Sequence, residues 1–421
     1  MLNVRHMLIR ILFALILVAV SSAAASSAPL LPLKTAQANG GMVAGVATMT
    51  FAAGYFHSCG IRNGALACWG RNHYGQLGDG TIVNRLTPVA VSGMNSGVTA
   101  VAAGDHHTCA IQNGGLWCWG WNNYGQAGIG TPTQPITTPT AVVGMGSGVT
   151  AVAAGAHHTC AIQGGALYCW GYNLYGELGD GTTTQRNAPV AVQGMNSGVT
   201  AVAAAYGHTC AIRNGALYCW GSNGQGQVGD GTTWPRFTPV AVSGMTGSVS
   251  AVVAGDAHTC AIKAGAMFCW GWNPFGQLGD GTTTQQETPV PVQNMGSGVT
   301  AIAAGARSTC AIQGGALYCW GNNHFGQLGD GTTTQRIAPT AVGAPMTGGV
   351  LAVTGGDFHT LALRSNNCLH AWGYNSNGQV GDNSAIDRLS PVSVSGPCTW
   401  DQPPSPPAVS ARAFMPVVRR P

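Results

Sequence analysis

His57-Ser58-Cys59-Gly60-Ile61-Arg62-Asn63-Gly64-Ala65-Leu66-Ala67-Cys68-Trp69-Gly70 returns, with small changes, six more times along the chain. Two short apolar runs flank Asn63-Gly64. Both central residues of a tight hairpin turn need positive φ, which Asn and Gly tolerate, so the stretch is predicted to be a β-hairpin. The turn sets the register: Arg62 faces Ala65, Ile61 faces Leu66 and Cys59 faces Cys68. Counting outward from the turn, 59/68 is a non-hydrogen-bonded pair, which brings the Cα atoms closest and suits a disulfide.

The same arithmetic pairs Cys109 with Cys118, Cys160 with Cys169, Cys210 with Cys219, Cys260 with Cys269 and Cys310 with Cys319. In the seventh copy Leu361 and Ala371 stand at the two cysteine positions, so both partners are lost together. Pairing requires that joint loss; a metal cluster does not. Of the 14 cysteines, Cys368 and Cys398 remain and are paired by elimination.

Aligning Cys59, Cys109, Cys160, Cys210, Cys260, Cys310 and Leu361 gives spacings of 50, 51, 50, 50, 50 and 51 residues. Each copy carries four β-like segments joined by glycine-rich connections, and helical periodicity is absent. The expected fold class is all-β: a seven-bladed β-propeller with four antiparallel strands per blade. Cys59, Ile61, Leu66 and Cys68 are expected on one face of the blade sheet and Trp69 on the other, both buried.

The expected domains are a signal peptide over 1–25, a linker over 26–45, the propeller over 46–398 and a proline-rich tail over 399–421. Arg5 and Arg10 precede an apolar run to Val20, followed by Ser21-Ser22-Ala23-Ala24-Ala25, the pattern of a cleavable export signal. Export also fits the even, regular cysteine count. The predicted location is secreted, extracellular or at the cell surface, without stable membrane insertion after cleavage. The chain opens with a first-strand segment, Ala47 to Phe51, and closes with a fourth-strand segment, Pro391 to Val394. Pairing of these two would close the ring by joining its ends; contiguous blades are the alternative.

Charge narrows the function classes. Between residues 46 and 398 there are 11 Lys/Arg and 12 Asp/Glu, so the basic patch of a nucleic-acid binder is not expected. The histidines at 57, 107, 158, 208, 258 and 359 stand one in each copy but the sixth, which has Ser308, and are spread round the ring; hydrogen bonding within the scaffold suits them better than metal ligation. The aspartates at 79, 180, 230, 280, 330 and 382 read as caps of their own turns rather than calcium ligands. Trp69, Trp119, Trp170, Trp220, Trp270, Trp320 and Trp372 read as core. No catalytic constellation, cofactor motif or metal site stands out, and a non-enzymatic protein, most simply a monomer, is expected.

What differs between copies points to function. The positions flanking the fixed Asn are Arg71/Tyr74, Trp121/Tyr124, Tyr172/Tyr175, Ser222/Gln225, Trp272/Phe275, Asn322/Phe325 and Tyr374/Asn377. The positions before the His are Tyr55-Phe56, Asp105-His106, Ala156-His157, Tyr206-Gly207, Asp256-Ala257, Ala306-Arg307 and Asp357-Phe358. In a four-stranded meander the first-to-second and third-to-fourth connections leave the same edge of each sheet. Tyr55, Phe56, Arg71, Tyr74, Trp121, Tyr124, Tyr172, Tyr175, Tyr206, Trp272, Phe275, Phe325 and Tyr374 are therefore expected on one face of the ring, opposite the Asn63-Gly64 turns. Aromatics on loops of a rigid scaffold suit a binding surface. The expected partner is a protein or cell-surface ligand; the alternative is a carbohydrate stacked on Trp121, Tyr124, Trp272 and Phe275.

His-Thr-x-Ala-Ile, Gly-Ala-Leu-Tyr-x-Trp-Gly and Asn-x-x-Gly-Gln-Leu-Gly-Asp-Gly, as at 208–231 (with Val228 for Leu), 258–281 and 310–331, resemble the regulator of chromosome condensation repeat. The resemblance covers about 46–398 and implies a seven-bladed propeller. It also brings the founding member's activity into view: guanine-nucleotide exchange on a nuclear small GTPase, with chromatin binding. The export signal, the stapled hairpins and the lack of basic charge depart from that member, and no exchange residue can be carried over. In compartment the chain is more similar to the secreted, propeller-type β-lactamase inhibitor protein, which grips its target with one face of the ring.

Overall fold

A computed structural model describes residues 50–401. The proposed signal peptide and linker, and the tail beyond 401, lie outside the described residues. Blade 1 is built from β1 (Phe51–Ala53), β2 (His57–Arg62), β3 (Ala65–Gly70) and β4 (Arg85–Ala90). Six further blades span 98–141, 149–191, 199–241, 249–291, 299–341 and 350–393. In each, four consecutive strands pair antiparallel in chain order, giving a seven-bladed β-propeller.

The turn chemistry acts as read. Asn63 and Gly64 have φ of 52° and 73°, and the register places Cys59 opposite Cys68, Ile61 opposite Leu66 and Arg62 opposite Ala65. All six hairpin disulfides form, with Cα–Cα distances from 4.0 to 4.1 Å. Leu361 lies opposite Ala371 where the seventh would be, and Cys368 bonds Cys398.

Blades stack face to face. Cys59, Ile61, Leu66 and Cys68 of blade 1 share one apolar cluster with Val101, Ala110 and Trp119 of blade 2. The histidines form latches between neighbours. His57 Nε2 lies 2.8 Å from Thr108 Oγ1, and that hydroxyl donates to the Gln76 carbonyl at 2.8 Å. With its one hydrogen committed, the hydroxyl accepts from His57, which assigns the neutral Nε2–H tautomer. The Trp119 indole donates to the same carbonyl at 2.9 Å. Equivalent latches follow His107, His158, His208 and His258, and His359 reaches Ser58 to close the ring.

Closure differs from strand exchange. Each blade is contiguous, and the last described residues strap blade 7 to blade 1. Trp400 is buried, lying on Gly60 and 5.6 Å from the Trp69 ring, with the Arg62 guanidinium 4.1 Å from its own ring. The Asp401 carboxylate accepts from Asn63 N (2.7 Å) and Gly64 N (2.8 Å), and its amide donates to Ile61 O. In blade 2 the Gly97 carbonyl serves Asn113 N in the same way. Trp400 and Asp401, which lie past the expected end of the propeller at 398, thus pack against the blade 1 hairpin.

Candidate binding face

The connection between the third and fourth strands is held by chemistry that recurs in most blades. Asn72 Oδ1 accepts from Leu77 N at 2.9 Å, and Asn72 Nδ2 donates to Asp79 and Thr81. Gln76 Oε1 accepts from Tyr74 N. Asp79 caps Thr81 and also takes Arg85, with N···O of 2.7 Å. Arg186, Arg236, Arg336 and Arg388 pair likewise with Asp180, Asp230, Asp330 and Asp382. Burial pushes these carboxyls up, but the bonds from the neighbouring Thr or Ser and from Arg outweigh it and hold them below the usual range.

A backbone bond then joins the two variable loops in every blade. Arg71 N donates to Phe56 O at 2.8 Å, Trp121 N to His106 O, Tyr172 N to His157 O and Ser222 N to Gly207 O. Trp272, Asn322 and Tyr374 do the same with Ala257, Arg307 and Phe358. The two sets of differing side chains are thus neighbours on one face, as the meander predicts.

Their rings touch in sequence round the ring. Phe325 lies 4.9 Å from Tyr374, Tyr374 lies 5.5 Å from Phe56, and Phe56 packs on Tyr55. Tyr55 meets His106, His106 meets Tyr74, and Tyr74 meets Trp121. Trp121 touches Tyr124 and His157; Tyr124 lies 4.8 Å from Tyr172, and His157 reaches Tyr206. Arg71 lies over Phe56 and Tyr74. Trp272 and Phe275 form a separate pair under Arg307. Most of these rings are half-buried against one another; Tyr175 at 45% and Tyr206 at 57% are the exposed ones among those expected on the face.

Some participants were not singled out from sequence. His106, His157 and Phe358 complete the belt, and Trp234, 74% exposed, stands beside blade 4. Asp105, Asp256 and Asp357 crowd the mouth of the central channel with Tyr55 and Tyr206. The signal was present, since all but Trp234 occupy the variable position before the histidine. Among the described residues, no group of three or more His, Cys, Asp or Glu is placed to hold a metal ion.

Models of the regulator of chromosome condensation (RCC1) repeat match residues 63–111, 113–162, 164–212, 214–262, 264–312 and 314–363. The chain belongs to the regulator of chromosome condensation repeat family. Each family repeat runs from the hairpin turn of one blade into the second strand of the next, so the sequence unit is offset by half a blade from the structural one. No curated protein matches. Among solved structures, human WBSCR16 is 23% identical with a TM-score of 0.67, over 75% of this chain and 86% of that one. Prp20p from Saccharomyces cerevisiae, described with its binding properties to Gsp1p and histones, is 21% identical with a TM-score of 0.68, over 81% and 88%. At these identities the likeness is one of fold.

Proposed function

We propose that this regulator of chromosome condensation repeat protein is an exported, non-enzymatic scaffold that binds a protein or cell-surface partner through its aromatic loop face. The observation that carries this reading is the belt of touching rings that runs along the loop edge from Phe325 through blades 7, 1, 2 and 3 to Tyr206, with Tyr175 and Tyr206 left open to solvent. Rigid aromatics lose little entropy on binding and dominate many interfaces. Disulfides at the core of six blades favour an oxidising compartment.

Prp20p, the fold relative described as binding Gsp1p and histones, lends precedent for a propeller of this kind as a protein-binding module. The carbohydrate alternative is less well served, because Arg307 lies over Trp272 and Phe275, where a sugar would stack. Capture from the protein's native extracellular milieu by immobilised wild-type protein tests the reading. Tyr175→Ser with Tyr206→Ser should lose the captured partner, and Asn113→Gly on the opposite face should keep it. Equal capture by all three proteins sinks the proposal.

A further inference from the structure

Where the aromatic belt lapses at Ser222 and Gln225, a cavity of about 520 Å³ opens over the mouth of the central channel. Tyr55, Tyr206 and Phe358 contribute aromatic wall to it, and Asp105, Asp256 and Asp357 contribute carboxyl groups. Below, the channel narrows to about 60 Å³ between alanine and glycine backbones. A ligand is therefore admitted from the loop face and stopped at the depth of the aspartates.

The lining includes a single basic side chain, Arg307, whose Nε lies 4.0 Å from Asp256. Three carboxyls thus share one guanidinium. Burial raises the proton affinity of all three; Asp256 adds to the effect on Asp105, and Asp105 and Asp256 add to it on Asp357, with Arg307 pulling the other way. Protons relieve that crowding in the free protein, and an incoming cation takes their place.

The form of that cation follows from the walls. The aspartates are not gathered closely enough to hold a metal ion. An organic cation is already held at the edge of the cavity: Arg307 lies 5.4 Å from the Trp272 ring centre and 5.5 Å from that of Phe275 while facing Asp256. Aromatic faces beside a carboxylate are a setting that retains guanidinium and ammonium groups. Tyr55, Tyr206 and Phe358 with Asp105 and Asp357 repeat that setting without a cation of their own.

We propose that this cavity seats a lysine or arginine side chain of the protein partner. The proposal rests on the loop face being a protein-binding surface and adds the chemistry of its anchor. Calorimetric titration of the purified protein with N-acetyl-lysine methylamide, N-acetyl-arginine methylamide and the uncharged norleucine analogue tests it. The two cationic probes are expected to bind at millimolar concentration and norleucine not to. Asp105→Asn combined with Asp357→Asn should weaken the cationic probes by roughly tenfold or more, with unfolding temperature unchanged or raised. No binding of either cationic probe, equal binding of norleucine, or cation binding untouched in the double variant overturns the proposal. No partner enters this assay, so that result leaves the loop face standing, whereas capture surviving loss of Tyr175 and Tyr206 removes the face itself.

Discussion

Ala264 occupies a turn position that Asn or Gly fills in five other blades, yet it holds φ of 51°. A Cβ in the left-handed region costs about 1–2 kcal/mol relative to glycine, part of which the unfolded chain recovers. Ala264→Asn or Ala264→Gly should therefore raise stability by about 0.5–1 kcal/mol, read as a higher guanidinium midpoint; a lower midpoint contradicts it. At this scale the sequence was most legible where one residue's backbone preference decides the outcome, as at Asn63-Gly64. Paired side chains were harder. Asp79 was read as a cap, and its partner Arg85 was missed because the turn already supplies the carboxylate with donors. Part of the signal lay in joint loss: Ile129 replaces the acid in blade 2, and Ile136 stands where the arginine would be, although blade 5 keeps Asp280 with Gln286 in the arginine's place.

Between elements, the histidine latches make acid stability predictable. Burial above all lowers His57, His158, His208 and His359 to about 3 and His258 to about 4, and takes His107 well below its ordinary value. Unfolded histidines titrate near 6.5, so between that value and the folded ones the unfolded chain takes up protons that the ring refuses. The latch contribution is complete above pH 6.5 and is lost as pH falls toward 3–4, on the order of 4 kcal/mol per histidine at the lower end. Asp105, Asp256, Asp357 and Glu177, with raised values, gain stability in the same direction of pH change, but they are four against six. The guanidinium midpoint should drop steeply from pH 7 to pH 4.5; a flat profile contradicts the latch. The disulfides divide by access. Six lie in the blade core, and Cys368–Cys398 has an exposed end. Brief mild reduction followed by alkylation should label Cys368 and Cys398 first; simultaneous labelling of hairpin cysteines contradicts the burial. Closing each ten-residue hairpin loop contributes about 2–3 kcal/mol in the chain-entropy model.

For the whole molecule, repetition made blade number, register and the polarity of the two faces readable, because fifty-residue spacing and turn chemistry are local properties. Closure was not readable. It involves Trp400 and Asp401 packing on a hairpin more than 300 residues away, and nothing in their local sequence marks them for it. The state of the rim was only half readable: sequence placed the aromatics on one face but not their burial against one another. Trp121 and Tyr124 are thus packing residues as well as face residues. Trp121→Ala should cost measurable stability, though less than Trp170→Ala, whose fully buried ring typically accounts for about 3–5 kcal/mol. Equal melting losses for the two would mean that the rim is core. Tyr175 and Tyr206 carry the cleaner test, since both are exposed. Hydroxyl-radical footprinting of the protein with and without its captured partner addresses the central claim most directly. Protection of Tyr175 and Tyr206, with Arg213 beside the Asn214-Gly215 turn on the opposite face unchanged, is the predicted result; protection confined to the opposite face would contradict it.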